Sequence, residues 1–202
     1  MTLQAYKLVN GVETKYGDPL TSDDKGQVSL KGLTYTDYIW KCESVPAGYQ
    51  LLQNISYSIS YEHLDHTDQA VLYMKHVKLI LDAEVTDVIE GESGPSFMYH
   101  IEGTDAAGVS HSYDLMVDVD EDKLSGSNAT KDMFAGTYTI TQTANERYIA
   151  DDAKAVTNSQ TKGTSAEAGL LEQSQAEVLF PYHLENYGWF TSMHSLVNAL
   201  EA

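Results

Sequence analysis

The feature that most constrains this chain is a side-chain alternation of period two that recurs along most of its length. In Ile55-Ser56-Tyr57-Ser58-Ile59-Ser60-Tyr61 every second residue is apolar, so an extended strand turns one face to a core and the other to water. Val77 to Val85, Ser96 to Ile101, His111 to Val119, Gly136 to Thr143 and Ala176 to Leu184 repeat the theme. Tyr38-Ile39-Trp40-Lys41-Cys42-Glu43 places Tyr38, Trp40 and Cys42 on one face, and Val28-Ser29-Leu30 reads as a short strand leading into a Lys31-Gly32 turn. Fourteen tyrosines, with many Thr and Val residues, suit pleated and half-buried surfaces. Turn signals separate these runs at Asp24-Lys25-Gly26, Pro46-Ala47-Gly48, Gly91 to Pro95, Asp105 to Gly108 and Ser125-Gly126-Ser127-Asn128. Two segments read as short helices: Ala166 to Gln175, and Ser195 to Ala202 capped by Thr191-Ser192-Met193-His194. Neither is long enough to build a layer, so the expected class is all-β, with strands arranged as sandwiches.

The alternation breaks at Glu62-His63-Leu64-Asp65-His66-Thr67-Asp68 and restarts at Val71. This divides the chain into a smaller unit over 1–75 and a larger one over 76–202, with no Pro/Ser linker between them.

Composition then excludes whole classes of function. Thirty acidic residues against twelve basic ones give a net charge of −18, and Arg147 is the one arginine. A nucleic-acid surface needs clustered cations to displace phosphate counterions, and an anionic membrane needs the same. One cysteine, Cys42, leaves no intramolecular disulfide framework and no Cys-rich zinc site. No apolar run approaches the length that spans a bilayer, and Met1 to Gly11 holds no apolar signal core. The chain therefore reads either as a protein that stays inside the cell or as a piece of a longer exported one.

Candidate sites are few. Cys42 reads as a small core side chain, since nothing nearby supplies the Cys–His pairing of a nucleophile. His63, Asp65, His66 and Asp68 offer zinc-ligand types but read as a solvated connector. Asp118, Asp120, Glu121 and Asp122 suggest a calcium loop. The sixth and twelfth positions counted from Asp118 hold Lys123 and Ala129 in place of the required Gly and Glu, so an acidic turn is expected instead. Thirty carboxylates make glycosidase-like pairs unavoidable by chance, and no Ser-His-Asp signature, phosphate-binding loop or dinucleotide fingerprint is present. Asn54-Ile55-Ser56 and Asn128-Ala129-Thr130 are formal glycosylation sequons. No catalytic residues, metal or cofactor are expected.

A family resemblance emerges from the order of motifs in the first unit. Leu3 to Gly11 is followed by Asp23-x-x-Gly26-x-Val28, then Leu30-Lys31-Gly32-Leu33, Tyr38 and Pro46-Ala47-Gly48-Tyr49. Over residues 3–61 this resembles the CnaB (SpaA-like, prealbumin-like) module of Gram-positive surface proteins and pilins. In the second unit Pro95 to Gly103, Gly136 to Gln142, Arg147-Tyr148 and Val178-Leu179-Phe180 resemble the related pilin isopeptide-linkage type of domain, in order across 77–198.

The resemblance implies two tandem immunoglobulin-like β-sandwiches and a structural stalk, pilin or adhesin role at a Gram-positive cell wall. The implied partners are neighbouring domains and a host protein or glycan, with neither nucleic acid nor membrane insertion. It also implies positions for a self-formed Lys–Asn or Lys–Asp amide promoted by a buried acid, which needs a desolvated lysine beside a proton-shuttling carboxyl. Those positions are substituted here. The lysine position falls at Leu81 (Ile80 with a slipped register), the acid at Gln142 and the acceptor at Tyr182. In the first unit the acid position is Cys42, with Glu43 on the opposite face, and the lysine-bearing strand would precede Leu3. Accordingly no isopeptide bond is expected, and the first unit is expected to lack its opening strand and leave a sheet edge that another chain could complete.

Overall fold

The computed structural model describes residues 1–51, 53–64, 67–89 and 93–185. Every regular element among them is a β-strand, and the chain divides into two compact units, Met1–His76 and Val77–Ala202.

The first unit contains β1 (Thr2–Val9), β2 (Val12–Lys15), β3 (Leu20–Thr21), β4 (Thr36–Ser44), β5 (Tyr49–Leu51), β6 (Ile55–Ile59) and β7 (Leu72–Met74). One sheet runs β2-β1-β4-β6, with β3 also on β1, and β5 and β7 form a separate two-stranded ribbon. The β1–β2 hairpin closes through Asn10 and Gly11, both at positive φ, with Val9 opposite Val12. Two consecutive left-handed residues match the strand twist, which is why Asn-Gly is favoured there.

The inner face buries Leu3, Ala5, Tyr38 and Ile59, and the Tyr38 ring meets Tyr16 edge-on at 5.3 Å. Val28, Leu30 and Leu33 line a cavity of about 280 Å³ together with Trp40 and Ile59. The expected strand at Val28–Leu30 is absent. This segment is irregular, and it contributes its apolar side chains without joining a ladder. The Pro46–Gly48 turn forms as expected, with the Tyr49 N–H donating to the Pro46 carbonyl at 3.1 Å and Gly48 at φ +80°.

β1 has both edges occupied. β4 takes one, while β2 and β3 share the other. Between them the buried Gln4 side chain donates to the carbonyls of Tyr16 and Gly17, and the Tyr16 N–H donates to Ala5. No edge of β1 is left for a strand from another chain.

The second unit contains β8 (His76–Val85, whose first residue closes the first unit), β9 (Ser96–Asp105), β10 (Ser110–Asp118), β11 (Ser125–Ala129), β12 (Met133–Phe134) and β13 (Gly136–Gln142). After these come β14 (Tyr148–Ala150), β15 (Lys154–Thr157), β16 (Ser159–Lys162), β17 (Ser165–Gly169) and β18 (Gln175–Leu184). They form two sheets, β10-β9-β13-β17-β16 and β11-β8-β18-β14, the latter with β12 on β8 and β15 on β18. One apolar core lies between them, built from the alternate inward residues of β8, β9, β13 and β18. Side chains join the sheets at their margins. Asn128 donates to the Met116 carbonyl at 2.7 Å on one side, and Ser159 to the Glu177 carbonyl at 2.7 Å on the other.

Two sequence expectations give way here. Ala166 to Gln175 is not a helix: Ser165-Ala166-Glu167-Ala168-Gly169 is β17, with Ala166 and Ala168 buried and Glu167 outward. The alternation outweighs the helix preference of Ala and Glu because both alanines face the core. Ser125 to Asn128 is not a turn but most of β11, paired with β8 from Ser125 opposite Glu84 to Ala129 opposite Ile80. Gly126 is needed there because a Cβ would lie 1.9 Å from the Asp118 carbonyl oxygen, where β11 passes β10 backbone to backbone. The expected helix at Ser195–Ala202 lies outside the described residues.

Candidate functional site

The positions implied for a covalent bond fall in the core of the second unit. On β8 the inward residues are Val77, Leu79, Leu81, Ala83 and Val85; on β18 they are Ala176, Val178, Phe180 and Tyr182, all buried. β8 and β18 are the first and last strands of the described unit, and they pair in parallel. Leu81 is level with Val178, and Tyr182 with Val85. Leu81 and Tyr182 are therefore four residues out of step, about 13 Å along the ladder at the strand rise. No side chain at Leu81 could reach an acceptor at Tyr182.

Gln142 is nearer to Tyr182. It stands opposite Tyr99 at the end of β13, and the Tyr99 and Tyr182 hydroxyls share a buried hydrogen bond of 2.8 Å. Phe97 stacks on Tyr182 with centroids 3.7 Å apart, Tyr148 meets Phe97 edge-on at 5.7 Å, and Phe180 lies against Tyr99 at 4.7 Å. Burial raises the Tyr182 phenol to about 12 against the opposing effect of its hydrogen bond to Tyr99. Burial also drives Tyr99 well above the usual tyrosine range, helped by Tyr182 and by the charge of Asp82. The Gln142 Oε1 is buried without a hydrogen-bond partner. An aromatic cluster with one internal hydroxyl pair thus occupies the region assigned to the acid and acceptor.

The amine is also out of place. Every lysine of the second unit (Lys78, Lys123, Lys131, Lys154 and Lys162) is exposed. None of them is the desolvated amine that the implied bond needs.

In the first unit Cys42 is half-buried rather than fully in the core, and its thiol points to the Ser44 carbonyl at 3.4 Å. The reason is strand length. The β4–β6 ladder ends at Trp40 opposite Ile55, so Cys42 lies beyond the end of β6. Glu43 faces outward and pairs with Lys15 at 3.4 Å.

The acidic turn uses its carboxylates locally. Asp118 accepts from the Ser96 hydroxyl. Asp120 accepts from the backbone N–H groups of Asp122 and Lys123 and pairs with the Lys123 ammonium at 2.7 Å, which holds its carboxyl below the usual range. Among the described residues no group of three or more His, Cys, Asp or Glu side chains could hold a metal ion. His63 closes a tight turn with Ser60; Asp65 and His66 lie outside the described residues.

Sequence reading missed one hydrogen-bonded pair, the buried Asp105 and the half-buried His111. Asp105 ends β9, and its Oδ1 accepts from the N–H groups of Ala107 and Val109 at 2.8 and 2.9 Å. Its Oδ2 lies 2.8 Å from His111 Nε2, and the imidazole packs at 5.4 Å against Phe134. The Asp-x-x-Gly turn is visible in the sequence; the His111 partner, across the β9–β10 hairpin, is not. The hydrogen bond from His111, then the Val109 and Ala107 N–H groups, lower the Asp105 carboxyl from its ordinary value against its own desolvation. A lowered carboxyl contributes stability that is complete above the unfolded value, about 4, and is lost as pH falls through the folded one. Asp105→Asn is therefore expected to flatten the fall in thermal midpoint below about pH 4. Equal slopes for the two proteins in a pH series of melts would contradict this role.

No family model matches the chain, and no curated protein matches it. Among solved structures, the chain is similar to the major pilin proteins of two Streptococcus pyogenes serotypes. One shows 10% identity over 91% of this chain and 90% of that one, with TM-score 0.38. The other shows 12% identity over 91% and 89%, with TM-score 0.39. It is also similar to the shaft pilin SpaA of Lactobacillus rhamnosus GG, at 12% identity over 92% and 93%, with TM-score 0.31.

Proposed function

We propose that this chain is a structural segment of a bacterial cell-surface protein, a stalk, pilin or adhesin piece. It comprises a CnaB-like module followed by an isopeptide-linkage-like one, and neither carries a covalent cross-link or performs catalysis. The observation that carries the reading is serial construction: two units follow each other in one chain, and among the described residues every strand ladder pairs strands of a single unit. The motif order from Asp23-x-x-Gly26 to Pro46-x-Gly48-Tyr49 supports a surface-protein origin. The apolar inward faces of β8 and β18, with all five lysines of that unit exposed, support the absence of a bond.

The test is biotinylation of intact source cells with an impermeant reagent, and intact-mass measurement of the unlabelled protein. Labelling before lysis and the full unmodified mass are expected. Protection until lysis would sink the surface role. A deficit of about 17 Da (ammonia) or 18 Da (water), the stoichiometry of amide formation, would sink the uncrosslinked one.

A further inference from the structure

We propose that the second unit is a non-covalent mechanical clamp, in which tension applied through its two ends loads the β8–β18 ladder in shear; this deepens the stalk reading and rests on it. The argument is topological. Among the described residues the unit begins at the start of β8, and its last strand finishes at the end of β18. Because the two strands are neighbours and parallel, those two points lie at opposite ends of one ladder. A pull between them drives each strand lengthwise past the other. Every pair from Lys78–Gln175 to Val85–Tyr182 then resists together, whereas a pull on two ends at the same side would open the pairs one after another.

The ladder is continuous at both limits. The Lys78 N–H donates to the Ser174 carbonyl at 3.0 Å, and the Thr86 N–H to the Tyr182 carbonyl at 3.1 Å. β18 is also held on its other edge, by β15 at Val178 and Leu179 and by β14 at Tyr182 and Leu184. The buried faces add a second resistance. Side chains return to the same face every second residue, so sliding into a new register takes a step of about 6.6 Å. That step drags Phe180 and Tyr182 off Tyr99 and Phe97. Forced unfolding is governed by the barrier to the first rupture, and shear places the whole ladder in that barrier.

The experiment is single-molecule pulling on the full chain with Cys42→Ser, through pairs of exposed positions. Lys78→Cys with Glu185→Cys pulls the ladder in shear; Thr86→Cys with Glu185→Cys pulls from one end and peels it. At equal loading rate the shear pair is expected to rupture at several times the force of the peeling pair. Equal forces would overturn the clamp and leave the surface role untouched, since that role stands or falls on cell labelling.

Discussion

Alanine at Gly103 is expected to destabilise the packed second unit severely. A Cβ at this position of β9 would lie 2.1 Å from the Thr137 carbonyl oxygen and 2.8 Å from both the Cα and the Cδ1 of Tyr138. Two of those atoms are backbone of β13, paired with β9 from Gly136 opposite Asp105 to Gln142 opposite Tyr99, so they cannot rotate away. Gly136 repeats the arrangement: a Cβ there would lie 2.3 Å from the Thr104 carbonyl oxygen and 2.9 Å from Tyr138 Cε2. The Tyr138 ring lies across both glycines, and its hydroxyl donates to the Phe134 carbonyl at 2.9 Å. Covering strand glycines with an aromatic ring recovers the contact they lack. Overpacking a core costs roughly 1–3 kcal/mol when side chains can give way. Here backbone must move, and about 3 kcal/mol or more is expected for Gly103→Ala, a large part of the stability of a domain. Gly169→Ala is the control, because nothing lies within 4 Å of its Cβ; it should be neutral or stabilise by about 0.4–1 kcal/mol through the unfolded chain. Urea unfolding followed by tyrosine ellipticity compares them. Coincident midpoints for Gly103→Ala and wild type would refute the close approach.

How much of this was legible depends on what each strand faces. β8, β9, β10, β13 and β18 stand out in the sequence because they run seven to ten residues with one side in the core. β11 is hidden because its glycine serves a crossing contact with β10, and Ser-Gly-Ser-Asn has the composition of a turn. β17 is hidden because alanines that fit a narrow space also favour helices. Val28 and Leu30 alternate correctly but find no partner strand, and alternation alone cannot supply one. Asn10-Gly11, by contrast, is a strong hairpin signal that was there to be read.

The candidate site shows the same division. That Leu81, Tyr182 and Gln142 are not the residue types the implied bond needs is visible in their identities. That Leu81 and Tyr182 stand four residues out of step is not, because the register of two parallel strands at opposite ends of a unit is settled by packing between them. The Tyr99–Tyr182 hydroxyl pair follows from that register, and no local pattern announces it.

That pair yields the second large effect, and a series of variants separates its parts. Tyr182→Ala removes the ring stacked on Phe97 and strips the partner from the Tyr99 hydroxyl. By the cost of large aromatic deletions it should destabilise the second unit by about 3–5 kcal/mol. Tyr182→Phe keeps the ring and removes only the hydroxyl, leaving that of Tyr99 buried and alone, for about 1–3 kcal/mol. The informative member is the double variant Tyr99→Phe with Tyr182→Phe. With both hydroxyls gone no polar atom of the pair is stranded, so its loss should be smaller than that of Tyr182→Phe alone. Midpoints in urea should therefore fall in the order double variant, Tyr182→Phe, Tyr182→Ala. If the double variant lost as much as Tyr182→Phe and Tyr99→Phe, each measured alone and added together, the hydroxyls would be independent groups. The polar contact between the two sheets would then contribute nothing as a pair, and cohesion at the β8–β18 end of the core would rest on ring packing alone.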